Sequence, residues 1–415
     1  MRPRILIATL FFPPTGGGGV QRPLKFAAHL ASLGYETHVL APDDPKCLER
    51  DESLAPPPGV HVVRSRNIGP RLRLLGAELY GKHGLARLAV HARSLPQRML
   101  VPDPSVLWTL TAVPAALRLI ERRSIDVVLT TSPPPSVHLV GAALKHLTGV
   151  RWVAELRDSI VFNPHRRFDV RGERSLARFV ATYADAAVTA SEGIAAELRD
   201  LDGRAAVSAI PSGCDFEDFE GLPHRGSGRL RITHTGNFLG RRDPRPFCEA
   251  LTAFGDDVVA RFVGSFRLRD RDYAEGMGLG RRIELVPFVS HRRALELQRD
   301  SEILLLLVPD VGGRGGHVLT GKVFEYLAAR RPILAAVPPQ GEAAALVERT
   351  GAGTVVAPDD VPELTTALRA YHARWRDGTL GDVVLKPELA AALSRRAAVE
   401  RLAEVLEGVV RTAAA

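Results

Sequence analysis

One pattern recurs from end to end of this sequence: a short aliphatic or β-branched run, a Gly-rich or polar turn, then an amphipathic stretch. Such alternation dictates parallel sheets flanked by helices, because adjacent parallel strands need a long crossover and a helix supplies it. The spacing predicts a strand over 4–10, a turn over 16–19, a helix over 20–33 that Gly34 ends, and a second strand over 36–41. Further strands are expected over 60–64, 126–130, 151–155, 186–189 and 205–210. A second set is expected over 229–235, 258–263, 282–286, 303–308, 333–336 and 353–356. A chain of 415 residues exceeds what one core organises, so each set should form its own Rossmann-like unit. Residues 215–228, DFEDFEGLPHRGSG, lack sustained periodicity and read as a linker. The expected division is therefore 1–214, the linker 215–228, 229–386, and a segment 387–415 whose helix over 387–410 is a candidate brace for the first unit.

Composition enters through what it excludes. No run approaches the ~20 apolar residues of a membrane span. The opening MRPRILIATLFFPP has too short an apolar part for a signal peptide, so a cytoplasmic location is expected. Cys47, Cys214 and Cys248 are odd in number and far apart, which argues against a disulfide framework or a thiolate metal site. The histidines are scattered without metal-ligand spacing, so no metal is expected.

A net charge of +8 favours anionic partners, although no recognised nucleic-acid module is present and none of that class is expected. Much of the excess lies within 64–98, where Arg64, Arg66, Arg71, Arg73, Lys82, Arg87, Arg93 and Arg98 oppose the single acid Glu78. Leu72, Leu75, Leu79, Leu85 and Leu88 are interleaved at roughly helical spacing. Two readings stand: a solvated helix over the core, or a helix whose apolar face enters an anionic membrane surface. On the second reading the protein sits peripherally on the inner face of the cell membrane.

Three loops carry candidate chemistry. In FPPTGGGGVQR, residues 12–22, consecutive glycines let backbone N–H groups approach an oxyanion at a helix N-terminus. The dinucleotide fingerprint Gly-x-Gly-x-x-Gly fails in every frame here, and no Gly-Lys-Ser/Thr follows. TGNFLGRRDP, residues 235–244, again follows a strand and opens a helix, and its adjacent Arg241 and Arg242 suit a phosphate. In TGKVFEYLAA, residues 320–329, Lys322 falls in the first helical turn, where a cation is misplaced unless it meets an anion. Glu325, one turn on, is placed either to accept from ribose hydroxyls or to cap the helix start.

The stretches FFPPTGGGGVQRPLKFAAHLASLGYETHVLAP, TTSPPPSVHLVGAALKHLTGVRWVAELRDS, VTASEGIAAELR, IPSGCDFEDF, HTGNFLGRRDPRPF and TGKVFEYLAARRPILA occur in that order. Together they resemble family 4 of the GT-B glycosyltransferases, in particular a bacterial branch associated with cell-surface polysaccharide assembly. The resemblance implies an α/β fold of the GT-B type, two Rossmann-like domains facing across a cleft. The first domain would hold a glycan, lipid-linked or small-molecule acceptor and the second a nucleotide-diphosphate sugar, with retention of configuration and neither metal nor cofactor.

Residue by residue, Gly18 and Gly19, with Gly17 beside them, match the loop that contacts donor phosphates and the acceptor side. Arg241 or Arg242 lies near the family's diphosphate-neutralising residues, with the usual Gly-Arg-Leu altered to Gly-Asn-Phe, which puts Asn237 in that turn. Lys322 is similar to a phosphate-side lysine, and Glu325 matches the second glutamate of the family's spaced pair, the one that holds the ribose. The first glutamate falls on His317, so Gly315, Gly316 and His317 become the candidate sugar contacts. Arg157 and Asp158 lie where relatives place a histidine or a His-Asp pair near the reacting sugar, or else pair with each other. Phe288, in Pro287-Phe288-Val289, is expected near the base. A nucleotide-sugar 2-epimerase on the same scaffold and a catalytically silent sugar- or lipid-binding relative are the alternatives.

Overall fold

The structure is a computed structural model that describes residues 2–46, 49–71, 78, 83–161, 171–201, 203–238 and 241–414. These residues group into two compact units. The first holds the described residues up to 161 and from 171 to 211, with 398–414; the second is Ser212–Ala397. Among the described residues no helix is long and apolar enough to cross a membrane.

The first unit is built on seven parallel strands, β1 Ile5–Thr9, β2 Thr37–Pro42, β3 Val60–Ser65, β4 Val127–Ser132, β5 Arg151–Leu156, β6 Ala186–Thr189 and β7 Ala206–Ala209. Their order is β3-β2-β1-β4-β5-β6-β7. In register, Ile7 of the central strand faces Val39 on one side and Leu129 on the other. β1, β2 and β4 are buried along their whole length, which is why they read as continuous apolar runs rather than alternating ones. On one face the helix Gly18–Ser32 packs Val20, Phe26 and Leu30 into a cluster that also contains Ala398, Val399, Leu402 and Leu406 of the last helix. Ala112, Val140 and Leu144 cover the opposite face beside Trp108.

The second unit is a six-stranded parallel sheet of β8 Leu230–Thr235, β9 Val258–Val263, β10 Ile283–Val286, β11 Ile303–Leu307, β12 Ile333–Ala336 and β13 Gly353–Val356, ordered β10-β9-β8-β11-β12-β13. One face packs Phe238, Phe247 and Phe262, the other Leu304, Phe324 and Tyr326. In each sheet the strand order reverses once, between β1 and β4 and between β8 and β11. Loops leaving the carboxyl ends of those strands flank the crevice where open α/β sheets bind ligands.

Residues 215–228 are not a free-standing connector: Phe219 and Leu222 are buried in the core of the second unit. The single terminal helix expected over 387–410 is also interrupted, into Pro387–Ala392 and Arg395–Ala414. The cause is a backbone bridge, since Cys214 N donates to Leu393 O at 2.7 Å and Arg395 N donates to Cys214 O at 2.8 Å. Gly213 adjoins it at φ 77°, and a Cβ there would stand 2.8 Å from Ser394 O.

Candidate functional site

In the first unit, the loop after β1 turns at Gly17, whose φ of 85° suits glycine, and opens the helix Gly18–Ser32. A Cβ added to Gly17 or Gly18 would meet nothing within 4 Å. The N–H groups of Gly18 and Gly19 begin the helix and so have no intrahelical acceptor. Cations hold the loop from behind through its carbonyls. Arg157 Nη1, just beyond β5, donates to Gly19 O at 2.7 Å. Arg64 donates to Pro13 O and, at 3.1 Å, to Pro42 O. Arg157 therefore does not pair with Asp158, and among the described residues the half-buried Asp158 has no hydrogen-bond partner.

Beneath this loop lies a group that sequence reasoning missed. Arg22 and Glu155 are fully buried and joined at 2.7 Å. The second oxygen of Glu155 accepts from Thr131, while Arg22 Nη2 donates to Ile210 O at 2.7 Å. One charge-assisted network thus ties the first helix to β4, β5 and the end of β7. The signal was present in the sequence, since a lone acid inside the apolar strand WVAEL must find a cation on burial.

In the second unit the predicted residues gather more closely. Gly236 follows β8 at φ 117°, and a Cβ on it would stand 2.4 Å from Lys322 Cε and 2.8 Å from Nζ. The lysine in the first turn of the helix Gly321–Ala328 therefore lies over the Thr235–Asn237 turn. The two arginines separate: Arg241 is exposed and Arg242 is buried. Arg242 Nε donates to Leu307 O at 3.1 Å and Nη1 to Asn237 O at 2.9 Å. Among the described residues no carboxylate pairs with it. Burial and then the nearby charges of Lys322 and Arg242 push the His234 imidazole well below its ordinary pKa, so it is neutral, with Nδ1 donating to Leu305 O at 2.8 Å.

Asn237 acts locally as a lock, its Oδ1 accepting from Ser265 N at 2.7 Å. Glu325 is half-buried and accepts from Gln298 Nε2 at 2.9 Å. Gly316 and His317 belong to the short helical turn Gly315–His317 after β11, packed so tightly that a Cβ on Gly341 would meet Gly316 Cα at 2.8 Å. Phe288 follows β10, two strands from β8 along the same carboxyl edge.

A Gly-rich helix entry thus lies in one Rossmann-like unit and a cationic turn in the other. Residues 16–218 match the model of Glycosyltransferase Family 4. The matched stretch spans the Gly-rich loop, Arg157 and Asp158. Among curated proteins none matches the sequence significantly. Solved structures match the whole chain. Sucrose-phosphate synthase from Thermosynechococcus elongatus has a TM-score of 0.68 at 17% identity, covering 99% of this chain and 100% of that one. HepE from Anabaena in complex with UDP-glucose has a TM-score of 0.66 at 16% identity, covering 98% and 100%. A glycosyltransferase from Rickettsia africae has a TM-score of 0.64 at 13% identity, covering 99% of each. At such identities the likeness is one of fold, and the fold is that of the GT-B glycosyltransferases.

Proposed function

We propose that the protein is a retaining, metal-independent glycosyltransferase that moves a sugar from a nucleoside-diphosphate donor to a glycan, lipid-linked or small-molecule acceptor in surface polysaccharide or glycoconjugate assembly. The second unit would hold the donor and the first the acceptor. The observation that carries the reading is the pair of cations at the reversal point of the second sheet: a buried Arg242 bonded only to carbonyls, and Lys322 lying over Gly236. A buried cation without a carboxylate is costly unless an anion completes its surroundings. That HepE is in complex with UDP-glucose supports a nucleotide sugar as this anion.

Departure of the nucleoside diphosphate places negative charge on the leaving oxygens while the sugar becomes oxocarbenium-like. Preorganised cations and N–H dipoles aimed at those oxygens stabilise the transition state and require no reorganisation during the reaction. In the second unit Lys322, Arg242 and the exposed Arg241 would serve there; in the first unit the N–H groups of Gly17, Gly18 and Gly19 would bind substrate. Glu325 would bind ribose and Phe288 the base, while Gly316 and His317 would contact the sugar. Asp158 would orient an acceptor hydroxyl, and Arg157 would act by fixing Gly19. Front-face attack, with the departing phosphate oxygen taking the acceptor proton, needs no protein nucleophile.

The test is a panel of nucleotide-diphosphate sugars screened by thermal shift, followed by transfer assays. A donor at a hundred times its Kd should stabilise the fold by about 2.7 kcal/mol, and Lys322→Met should lower kcat/KM about 100-fold. Failure of every nucleotide sugar to stabilise the protein would sink the proposal. Donor conversion without acceptor would identify an epimerase, and binding without turnover a silent relative.

The helix Gly84–Met99 supports a peripheral contact with anionic lipid. Leu85, Leu88, Leu95 and Met99 recur on one helical stripe and are 84%, 64%, 52% and 71% exposed, with Arg87 and Arg93 exposed at its flanks. Arg64 does not contribute, because it is turned inward to Pro13 and Pro42, and Arg71 pairs with Asp44 at 3.6 Å. Leu72, Arg73, Leu75, Leu79 and Lys82 lie outside the described residues, as does the side chain of Arg98. Sedimentation with phosphatidylglycerol vesicles, lost in Leu85→Gln/Leu88→Gln, is the expected result; equal recovery with neutral vesicles would refute the contact.

A further inference from the structure

Gln298 is the group that the functional reading leaves unexplained. It lies on the helix His291–Arg299, 1% exposed, in a position where an aliphatic side chain would pack without polar demands. Instead its Nε2 makes two bonds, one to Thr235 Oγ1 at 3.0 Å and one to Glu325 Oε2 at 2.9 Å. Both amide hydrogens are used, and the orientation is decided by the carboxylate, because the reversed amide would set one acceptor against another. The amide's own oxygen is left buried without a partner. A buried unsatisfied acceptor is unfavourable, so the position is not optimised for packing alone.

Thr235 is itself held, its N donating to Tyr326 OH at 3.0 Å, and the Tyr326 hydroxyl donates onward to Leu305 O at 3.4 Å. Burial pushes that phenol up to about 12, so it remains a neutral hydroxyl at ordinary pH. The chain from the sheet through Thr235 and Gln298 ends on one oxygen of Glu325. Among the described residues no protein donor reaches the other oxygen, Oε1.

We infer that Gln298 is a positioning residue which fixes the rotamer of Glu325, so that Oε1 is presented to the vicinal hydroxyls of a ribonucleoside diphosphate. The inference rests on the reading of Glu325 as the ribose ligand. It predicts that sugar discrimination in the nucleotide, ribose over 2′-deoxyribose, depends on a residue that never touches the nucleotide.

The experiment titrates the full chain with uridine and guanosine 5′-diphosphates and their 2′-deoxy counterparts. The wild type should prefer the ribose form of whichever base binds, and Glu325→Gln should abolish the preference. Gln298→Met, of similar shape but without the donor, should weaken ribose-form binding about tenfold and erase most of the preference, with kcat at saturating donor little changed. Gln298→Glu, nearly isosteric and with an acceptor in place of the donor, should do the same and guards against a packing defect in the methionine variant. The double variant Gln298→Met/Glu325→Gln should be no worse than Glu325→Gln alone. If both Gln298 variants keep the full preference while Glu325→Gln loses it, the positioning role is wrong. If Glu325→Gln keeps the preference, the ribose assignment fails first and this inference falls with it.

Discussion

The turns that follow β1 and β8 occupy equivalent places in their sheets and use glycine for opposite purposes. After β1, Gly17 and Gly18 border open space, and the arginines nearby, Arg64 and Arg157, are spent on carbonyls at the back of the loop. What the loop presents is backbone N–H at a helix N-terminus. After β8, Gly236 is pressed against Lys322, and Gly264 would drive a Cβ to 2.9 Å from Asn237 Oδ1. There the glycines let a side-chain cation reach the carboxyl edge of the sheet. One fold thus builds positive potential in two ways, from peptide dipoles in the first unit and from a formal charge in the second.

The sharpest way to break the contrast is Gly236→Ala. The new methyl would collide with Lys322 Cε at 2.4 Å and would sit at φ 117°, a backbone region that L side chains rarely adopt. We expect a loss of about 1–3 kcal/mol of stability from strain and displaced side chains. We also expect more than tenfold weaker donor binding, because the ammonium is moved from its place. Urea denaturation and nucleotide titration measure the two effects. Donor affinity unchanged in a folded Gly236→Ala protein would show that Lys322 is not needed where it lies.

The same contrast explains what was legible in the sequence. Every strand of both sheets was anticipated to within about two residues, because buried parallel strands are short aliphatic runs bounded by turn residues and little else resembles them. The Gly16–Gly19 loop was legible because glycine leaves a backbone signature, and Lys322 because a cation in a first helical turn breaks a local electrostatic rule. What could not be read was which of two adjacent arginines turns inward. Arg241 and Arg242 differ only in the direction that the turn after β8 gives them, and burial selects Arg242 through the carbonyls of Asn237 and Leu307. Gln298 was equally silent, since its partners lie 63 and 27 residues away and a glutamine on an amphipathic helix looks like surface. Nothing in the periodicity over 387–410 reveals the backbone bridge to Cys214 that interrupts the terminal helix.

Within the first loop, two neighbouring glycines sharpen the comparison further. Gly17→Ala should cost about 1–3 kcal/mol, since its backbone at φ 85° and ψ 174° lies in a region that is essentially glycine's alone, while no atom crowds the new methyl. Gly18→Ala is the smaller and more telling change. Its backbone is helical, its Cβ would meet nothing within 4 Å, and alanine is the better helix former, so stability should change by no more than about 0.5 kcal/mol. If the space beside Gly18 belongs to a substrate, turnover should nevertheless fall by about tenfold, since a methyl group there keeps the ligand from the N–H groups behind it. Unfolding curves and transfer rates measured on one preparation separate the two effects. A Gly18→Ala protein with both unaltered would make the glycine run a turn and nothing more, and would leave the formal charges of the second unit as the sole source of the potential argued for above.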